Sequence, residues 1–326
     1  MKVFKSLIQF IEVSKNESCQ RIDNFLKKKL KYTSKNTIYK ILRTGEVRVN
    51  KKRVDPNYKI RIKDLIRIPP IKYSRIIEKK ISYTSYINFN FKNSILYEDK
   101  HLLILNKPSG IAVHKGSGIN CGIIEKLRDI YPKNSFLELV HRLDRGTSGI
   151  LLIAKKRSTL CNLHKQLRSG EIYKEYLILV HGKCQFKSKT VSVSLKKQLH
   201  LDKILKFKKQ KMLVDKNGKS AITNFYVIKI FRNMTLLKAI TKTGRMHQIR
   251  AHAQHINHPI VCDLVYNKIN KIEAPLVDKK INRIFLHASS IRFYHPDTLK
   301  HLNIKAPLDY LLLNYLKKLK KSNLKS

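Results

Sequence analysis

The sequence lacks the marks of several large protein classes. Its five cysteines stand at 19, 121, 161, 184 and 262, too far apart for a C-x-x-C site. An odd, scattered set of thiols argues against a disulfide scaffold and for a reducing cytoplasm. No basic n-region leads into an apolar run with a small-residue cleavage site. Apolar stretches such as Ile150–Ala154 are short and end at Lys or Arg, well under the roughly 20 residues a membrane-spanning helix needs. A long amphipathic helix with an aromatic face is missing too, so no membrane role is expected. Acidic residues are scarce, 22 against 69 Lys and Arg, for a net charge of +47. A field of that size draws in polyanions. Only 17 of the 69 cations are Arg, and Ile and Asn are abundant. This is a compositional skew toward Lys, so charge supports nucleic-acid binding without identifying any chemistry.

What is present fits a two-domain protein. The 326 residues exceed one small module, and 42% hydrophobic residues exclude disorder of the whole chain. Residues 1–18 read as a polar lead-in with one short strand-like run. Ile22, Phe25, Leu26 and Leu30 then recur at helical spacing. A second helical set, Ile38, Ile41 and Leu42, follows Ser34 as N-cap and stops at Thr44-Gly45. Val47-Arg48-Val49-Asn50 and Leu65-Ile66-Arg67-Ile68 alternate as strands do. These pieces form a compact basic module over 19–75. The polar stretch that follows has no period and supplies a linker, 76–93.

A larger domain, 94–318, comes next, with a basic tail, 319–326, expected to fray. Its strands are expected at Ser94-Tyr97, Leu102-Leu105, Leu137-Val140, Ile150-Ala154, Tyr176-Val180, Ala221-Ile230 and Leu236-Ala239. Its helices fall near Gly122–Tyr131, Ser158–Ser169 and His247–Asn257. Strands outnumber helices without strict βαβ alternation. The class is therefore α+β, a small α/β module followed by a domain on a mixed, largely antiparallel sheet with flanking helices.

Chemistry concentrates in His141-Arg142-Leu143-Asp144-Arg145-Gly146-Thr147-Ser148-Gly149. It lies between two strand-like runs, so Asp144 sits on a loop held at both ends by sheet. Neighbouring Arg142 and Arg145 favour the ionised carboxylate. An ionised, rigidly placed Asp suits nucleophilic or general-base work, and equally the capping of a turn. Four histidines, His247, His252, His255 and His258, invite a metal reading. They lack a complete ligand set, and a packed or RNA-facing basic helix is the better account. Gly116-Ser117-Gly118 lacks the Lys-Ser/Thr of a phosphate loop. Lys155-Lys156-Arg157 and the Lys206–Lys211 run serve equally as RNA contacts or as a solvated basic face.

Two resemblances add to this reading. Arg21-Ile-Asp-Asn-Phe-Leu, Ile38-Tyr-Lys-Ile-Leu-Arg, Gly45-Glu-Val-Arg-Val-Asn-Lys-Lys and Ile66-Arg-Ile-Pro-Pro, in that order, resemble the S4 RNA-binding domain. His141–Gly149 resembles the central motif of the RluA-type pseudouridine synthases. Three further segments match that family in order: Asn106–His114, Lys174–Gly182 and Thr243–His252. Gly146 departs from the Asp that relatives more often carry, which bears on loop stiffness.

The resemblance implies a uridine-to-pseudouridine isomerase acting on large-subunit ribosomal RNA, cytoplasmic and monomeric, with no metal, organic cofactor or obligatory protein partner. It assigns catalysis to Asp144, Tyr176 and Arg250, with Arg250 paired to Asp144 and Tyr176 packed on the uracil ring, assisting proton removal at C5. His141, Arg142, Arg145, Lys174, Arg245 and His247 become substrate contacts, with Arg142 filling the gap left by a flipped base. Arg21, Lys40, Arg43, Arg48, Lys51 and Lys52 become RNA contacts of the S4-like module. Two rival classes share parts of this pattern: a non-enzymatic RNA-binding protein, and an RNA glycosidase that would admit water and leave an abasic site.

Overall fold

A computed structural model describes residues 3–30, 33–74, 91–116, 121–132, 136–201, 208–267, 281 and 283–323. The chain divides into two compact units, Met1–Tyr83 with Lys156–Cys161, and Thr84–Lys155 with Asn162–Ser326.

The N-terminal unit holds β1 (Val3–Lys5), β2 (Gln9–Glu12), α1 (Ile22–Lys29), α2 (Lys35–Arg43), β3 (Arg48–Val49), β4 (Leu65–Ile68) and β5 (Lys72–Ser74). Helix α2 begins where expected: the Ser34 hydroxyl accepts the Thr37 amide at 3.1 Å, a cap worth about 1 kcal/mol. The chain leaves α2 through Gly45 at φ +72°, a left-handed turn that suits glycine. Strands β2, β4 and β3 form an antiparallel sheet. Ile66 and Ile68 from that sheet share one core with Ile22, Phe25, Leu26, Ile38, Ile41 and Leu42. The lead-in expected at 1–18 is therefore part of the module, since β2 pairs along β4 and Val13 is buried in the same core. Strand β1 likewise pairs with β5.

The second unit begins with β6 (Ile95–Glu98), β7 (Leu102–Lys107), α3 (Ile123–Ile130), β8 (Glu138–Leu139), β9 (Ser148–Ala154), the part of α4 (Arg157–Ser169) from Asn162 on, and β10 (Tyr173–His181). It continues through β11 (Ser188–Ser192), β12 (Leu195–Leu201), β13 (Lys208–Val214), β14 (Ile222–Ile230), β15 (Met234–Thr241) and α5 (Gln248–His255), and closes with β16 (Leu286–Tyr294), β17 (His301–Lys305) and α6 (Tyr310–Asn323). The main sheet runs β11-β14-β15-β10-β16-β9-β7-β6, with β17 added to β16 and β8 to β9. Among the described residues only β16 and β9 pair in parallel, so the α+β class and the largely antiparallel sheet are as expected.

Every residue of β9 is buried, which explains its unbroken apolar run. Gly149 sits at φ +105°, and a Cβ there would come within 2.2 Å of the Ala288 carbonyl oxygen. The parallel β9–β16 pairing thus requires this glycine. Expected strands and helices appear within a few residues, while β11, β12, β13, β16, β17 and α6 were not anticipated.

The tail expected to fray over 319–326 is instead helical to Asn323. Leu312, Tyr315 and Leu316 are buried, and Leu319 packs on the same core. This i, i+3, i+4, i+7 stripe is apolar, and the intervening lysines hide it in the sequence. Lys155 is engaged by Glu98 at 2.7 Å rather than left as a free cation. Gly116-Ser117-Gly118, the Lys206–Lys211 run and most of the 76–93 linker fall partly or wholly outside the described residues.

Candidate active site

The Asp144 loop is fastened from several sides before any ligand is considered. The Val140 amide donates to the Leu152 carbonyl at 3.0 Å, and the Leu152 amide donates back to His141 Nε2 at 3.2 Å. Lys107, fully buried at the end of β7, donates from Nζ to the carbonyls of Pro108, Ile111 and Arg145 at 2.7, 2.9 and 3.2 Å. The Ser109 hydroxyl donates to the Gly146 carbonyl at 2.7 Å. Gly110 and Arg145 exchange two bonds: the Gly110 amide reaches the Arg145 carbonyl at 2.8 Å, and Arg145 Nε reaches the Gly110 carbonyl at 2.8 Å. This loop is consequently not slack at Gly146. A Cβ there would meet only the Ile284 side chain, at 3.1 Å.

Behind the loop, Ser148 is buried, its hydroxyl 2.8 Å from His287 Nδ1 and accepting from Arg283 Nη2 at 2.7 Å. Arg283 also pairs with Asp309, whose other oxygen accepts the Leu312 amide at 3.0 Å in the first turn of α6. The C-terminal helix is thereby tied to the strand that follows the Asp144 loop.

Lys107 introduces a pH dependence. Burial, with the Arg283 charge adding to it and Asp144 opposing, brings its ammonium down to about 7. Its unfolded pKa lies near 10.4, so between those values the unfolded chain binds the extra proton and stability rises with pH. Lys107→Met should lose that rise. Urea midpoints at pH 6, 8 and 10 for both chains check it, and parallel curves would count against this titration.

The second half of the site comes from α5 and the turn before it. Buried Gln248 accepts from the Thr243 hydroxyl and the Arg245 amide at 2.7 and 3.0 Å. It donates to the Ile222 carbonyl and the Thr223 hydroxyl, both at 2.9 Å. His247, the N-cap, is held at φ 50°, a left-handed conformation costing a non-glycine residue about 1 kcal/mol or more.

Arg250 follows on the same helix. Its Nε and Nη2 fork onto Asp263 at 2.7 and 2.8 Å, and Nη1 lies 3.4 Å from Asp144 Oδ2. Its guanidinium sits 5.0 Å from the Tyr266 ring centroid. The expected Arg250–Asp144 pair is present, but Asp263, 1% exposed, is the closer partner. Asp263 also accepts the Val265 and Tyr266 amides at 3.1 and 3.3 Å. Tyr266 is fully buried, and its hydroxyl accepts the Met212 amide at 2.8 Å. The same hydroxyl lies 3.3 Å from His247 Nδ1, and His247 Nε2 lies 3.7 Å from Asp144 Oδ2. Burial pushes the His247 imidazole down, against the Asp144 charge, so it is neutral at pH 7.

Strand β10 supplies the wall. Lys174 and Tyr176 alternate onto the cavity side. Burial pushes the Lys174 ammonium down, and burial with the Asp144 charge pushes the Tyr176 phenol up. Tyr176 therefore rests as a neutral phenol, suited to packing and hydrogen donation. As a base at C5 it would first have to ionise against that shift.

Eight of the nine expected catalytic and substrate residues line one cavity of about 550 Å³: Asp144, Tyr176, Arg250, His141, Arg142, Lys174, Arg245 and His247. That volume lies in the range of small-ligand sites and admits a nucleoside. Arg145 is the exception: it does not line the cavity, and its Nε donates to the Gly110 carbonyl. His141, brought down to about 3 by burial and the Lys174 charge, is a neutral acceptor for the Leu152 amide as well as a wall. His252 is buried on the Thr223 hydroxyl at 2.9 Å while His255 is exposed, so the two do not share an open face.

Asp263, Tyr266 and Lys107 were not singled out in the sequence. Lys107 had a signal, a cation ending a buried strand just before Pro108. Asp263 and Tyr266 had none, lying in a short stretch without period.

On the module, Lys40 and Arg43 line a groove of about 780 Å³ beside α2, together with Arg53 and Tyr39. Arg48, Lys51 and Lys52 are exposed around the following turn. Arg21 is exposed at the start of α1. It forks onto Asp23 at 3.1 and 2.8 Å.

A model of the RNA pseudouridylate synthase family matches residues 101–255, and one of the S4 domain matches residues 20–66. The ribosomal large subunit pseudouridine synthase C of Buchnera aphidicola subsp. Schizaphis graminum is 50% identical over 97% of this chain and 99% of its own length. The protein of that name from Haemophilus influenzae is 46% identical over 98% of both chains. The one from Escherichia coli K12 is 44% identical over 98% of this chain and 99% of its own. Among solved structures, human RNA Pseudouridylate Synthase Domain Containing 4 shares the fold with a TM-score of 0.56, at 21% identity over 71% of this chain and 94% of its own. With such identity to relatives along nearly its full length, and both family segments in order, the chain belongs to the RNA pseudouridylate synthase family.

Proposed function

We propose that this enzyme converts uridines of large-subunit ribosomal RNA to pseudouridine, with Asp144 acting on the ribose of a flipped-out nucleotide. The observation that carries the reading is one carboxylate oxygen of Asp144, 3.4 Å from Arg250 and 3.7 Å from His247, facing a cavity walled by Tyr176. An ionised Asp144 has two first steps open to it, attack at C1′ or removal of the C2′ proton. Attack at C1′ expels uracil from N1 and leaves an ester to Asp144 that breaks when C5 of the rotated base bonds to C1′. Removal of the C2′ proton expels uracil to leave a C1′–C2′ double bond, and Asp144 returns that proton to C2′ as C5 bonds to C1′. In both cases the proton lost from C5 is balanced by the one gained at N1. Atoms and electrons balance without an external reactant. Arg250 holds the carboxylate in place, and Tyr176 packs on the ring. Arg142, exposed on the cavity rim, suits the gap left by the flipped base, because a guanidinium stacks on bases and bonds phosphate.

The test is to map carbodiimide-resistant adducts on ribosomal RNA made with and without the active protein. New adducts at unchanged RNA mass support isomerisation, whereas base loss with an abasic site would replace this reading with the glycosidase.

The S4-like module is assigned affinity rather than chemistry, because every catalytic candidate lies in the second unit. Replacing Lys40, Arg43 and Lys52 together by Ala should raise KM by about tenfold. It should also flatten the log affinity against log salt slope by roughly two, at about 0.7 to 0.9 per phosphate contact. kcat at saturating RNA should hold, and a fall in kcat with KM unchanged would give the module a catalytic part. A cytoplasmic, monomeric enzyme is the accompanying proposal, supported by five scattered cysteines that are free thiols. Among the described residues no helix is long and apolar enough to cross a membrane.

A further inference from the structure

The two faces of β10 do different things. Lys174 and Tyr176 face the active-site cavity, while Tyr173, Glu175 and Leu177 line a second cavity of about 490 Å³ on the opposite face of the sheet. Helix α6 covers the Leu177 and Leu179 end of that face. The other end is open, and three aromatic rings occupy it. Arg292 lies flat against Tyr173, its central carbon 4.0 Å from the ring centroid, in direct register across β10 and β16. Lys238 Nζ sits 5.4 Å from the Tyr226 centroid, in register across β15 and β14. Tyr294 meets His301 edge-on at 5.4 Å, in register across β16 and β17. Tyr226 is 36% and Tyr294 48% exposed. Asn303 and Lys305 alternate outward on β17 beside them.

The stripe crosses five neighbouring strands, β17-β16-β10-β15-β14, a width of roughly 19 Å at about 4.8 Å per strand. Arg292, Lys238 and Lys305 outweigh Glu175 there, three cations to one acid. Rings and a guanidinium plane laid on a sheet, with amide and ammonium donors between them, match planar bases strung on phosphates. A protein partner would be asked to bury Arg292, Lys238 and Lys305 beside a single acid, which charge disfavours.

We propose that this open face is a second RNA-binding surface, taking a single-stranded stretch of the RNA substrate outside the active-site cavity. The inference rests on the RNA-modifying reading above. Stacking of one base is worth about 1–3 kcal/mol, so losing one stacking point weakens binding by about tenfold.

The experiment uses the full chain and two probes, a large-subunit ribosomal RNA fragment and the same fragment with a single-stranded extension of about 12 nucleotides, within the size range of single-strand sites. The parent chain should bind the extended fragment about tenfold more tightly. The Arg292→Ser/Tyr226→Ser double variant should bind both alike, with kcat on the blunt fragment unchanged. Arg292→Lys keeps the charge without the plane, so it should retain the salt slope and lose part of the preference. Thermal melts of each variant establish that it is folded. No preference in the parent chain, or a preference that persists in the folded double variant, overturns the proposal. Absence of pseudouridine from the parent reaction would instead overturn the function, and the binding readout is independent of it.

Discussion

Asp144→Asn should abolish pseudouridine formation and leave the fold and the RNA affinity near those of the parent chain. An amide keeps the size and much of the hydrogen bonding of the carboxylate. It is a poor nucleophile and a poor base, so neither first step open to Asp144 proceeds. The stability cost should be small for a structural reason. Asp144 is partly exposed, and Arg250, the cation it faces, keeps its two shorter bonds to Asp263. Removing the Asp144 charge therefore strands no buried partner. His247 stays neutral, since the charge lost is the one that opposed its downward shift. Single-turnover assays on a ribosomal RNA fragment, run beside thermal melts and binding titrations, give the three readouts. Measurable turnover by a well-folded Asp144→Asn chain would remove the carboxylate from the mechanism.

The parts of this site legible in the sequence are those encoded locally. Asp144 could be placed because its loop lies between two apolar runs, and runs of that kind become strands whatever surrounds them. His247 and Arg250 were placed by the resemblance of the Thr243–His252 segment, whose helical character alone would not have assigned them to the site. Contacts between distant segments were not legible. Arg145 looked like a pocket cation beside Asp144, yet it lies off the cavity and its Nε bonds Gly110, 35 residues away in sequence. Asp263 follows no period, and its value to Arg250 arises only when the chain after α5 turns back onto the helix. Helix α6 was concealed differently. Its apolar positions keep helical spacing, but lysines crowd between them and composition suggested a tail. The extra strand of the module, β2, is short and mostly exposed, so it gains its identity from pairing with β4 rather than from burial.

Breaking the Arg250–Asp263 fork should produce the largest loss of stability of any single change in the site. Asp263 is 1% exposed and Arg250 side-chain atoms 11%. Arg250→Met leaves the Asp263 carboxylate buried with only backbone amides for company, and Asp263→Leu leaves a guanidinium facing Asp144 alone. Removing one partner of a buried pair costs about 3–5 kcal/mol, a drop in melting temperature on the order of 10 °C for a unit of this size. Turnover should fall by about 100-fold as well, since an ångström-scale shift of a reacting group costs that much. Arg250→Lys should recover part of the stability and less of the rate, because an ammonium has no planar fork to hold Asp263 and reach Asp144 together. The double variant, Arg250→Met with Asp263→Leu, separates the two effects. With both charges gone no buried group is stranded, so its melting temperature should exceed that of either single variant. Its turnover should stay low, because Asp144 has lost the cation that fixes it. A double variant that regains rate along with stability would mean that Arg250 acts only as a strut for α5. Melts equal to the parent's for Asp263→Leu alone would mean that the fork contributes nothing to the fold.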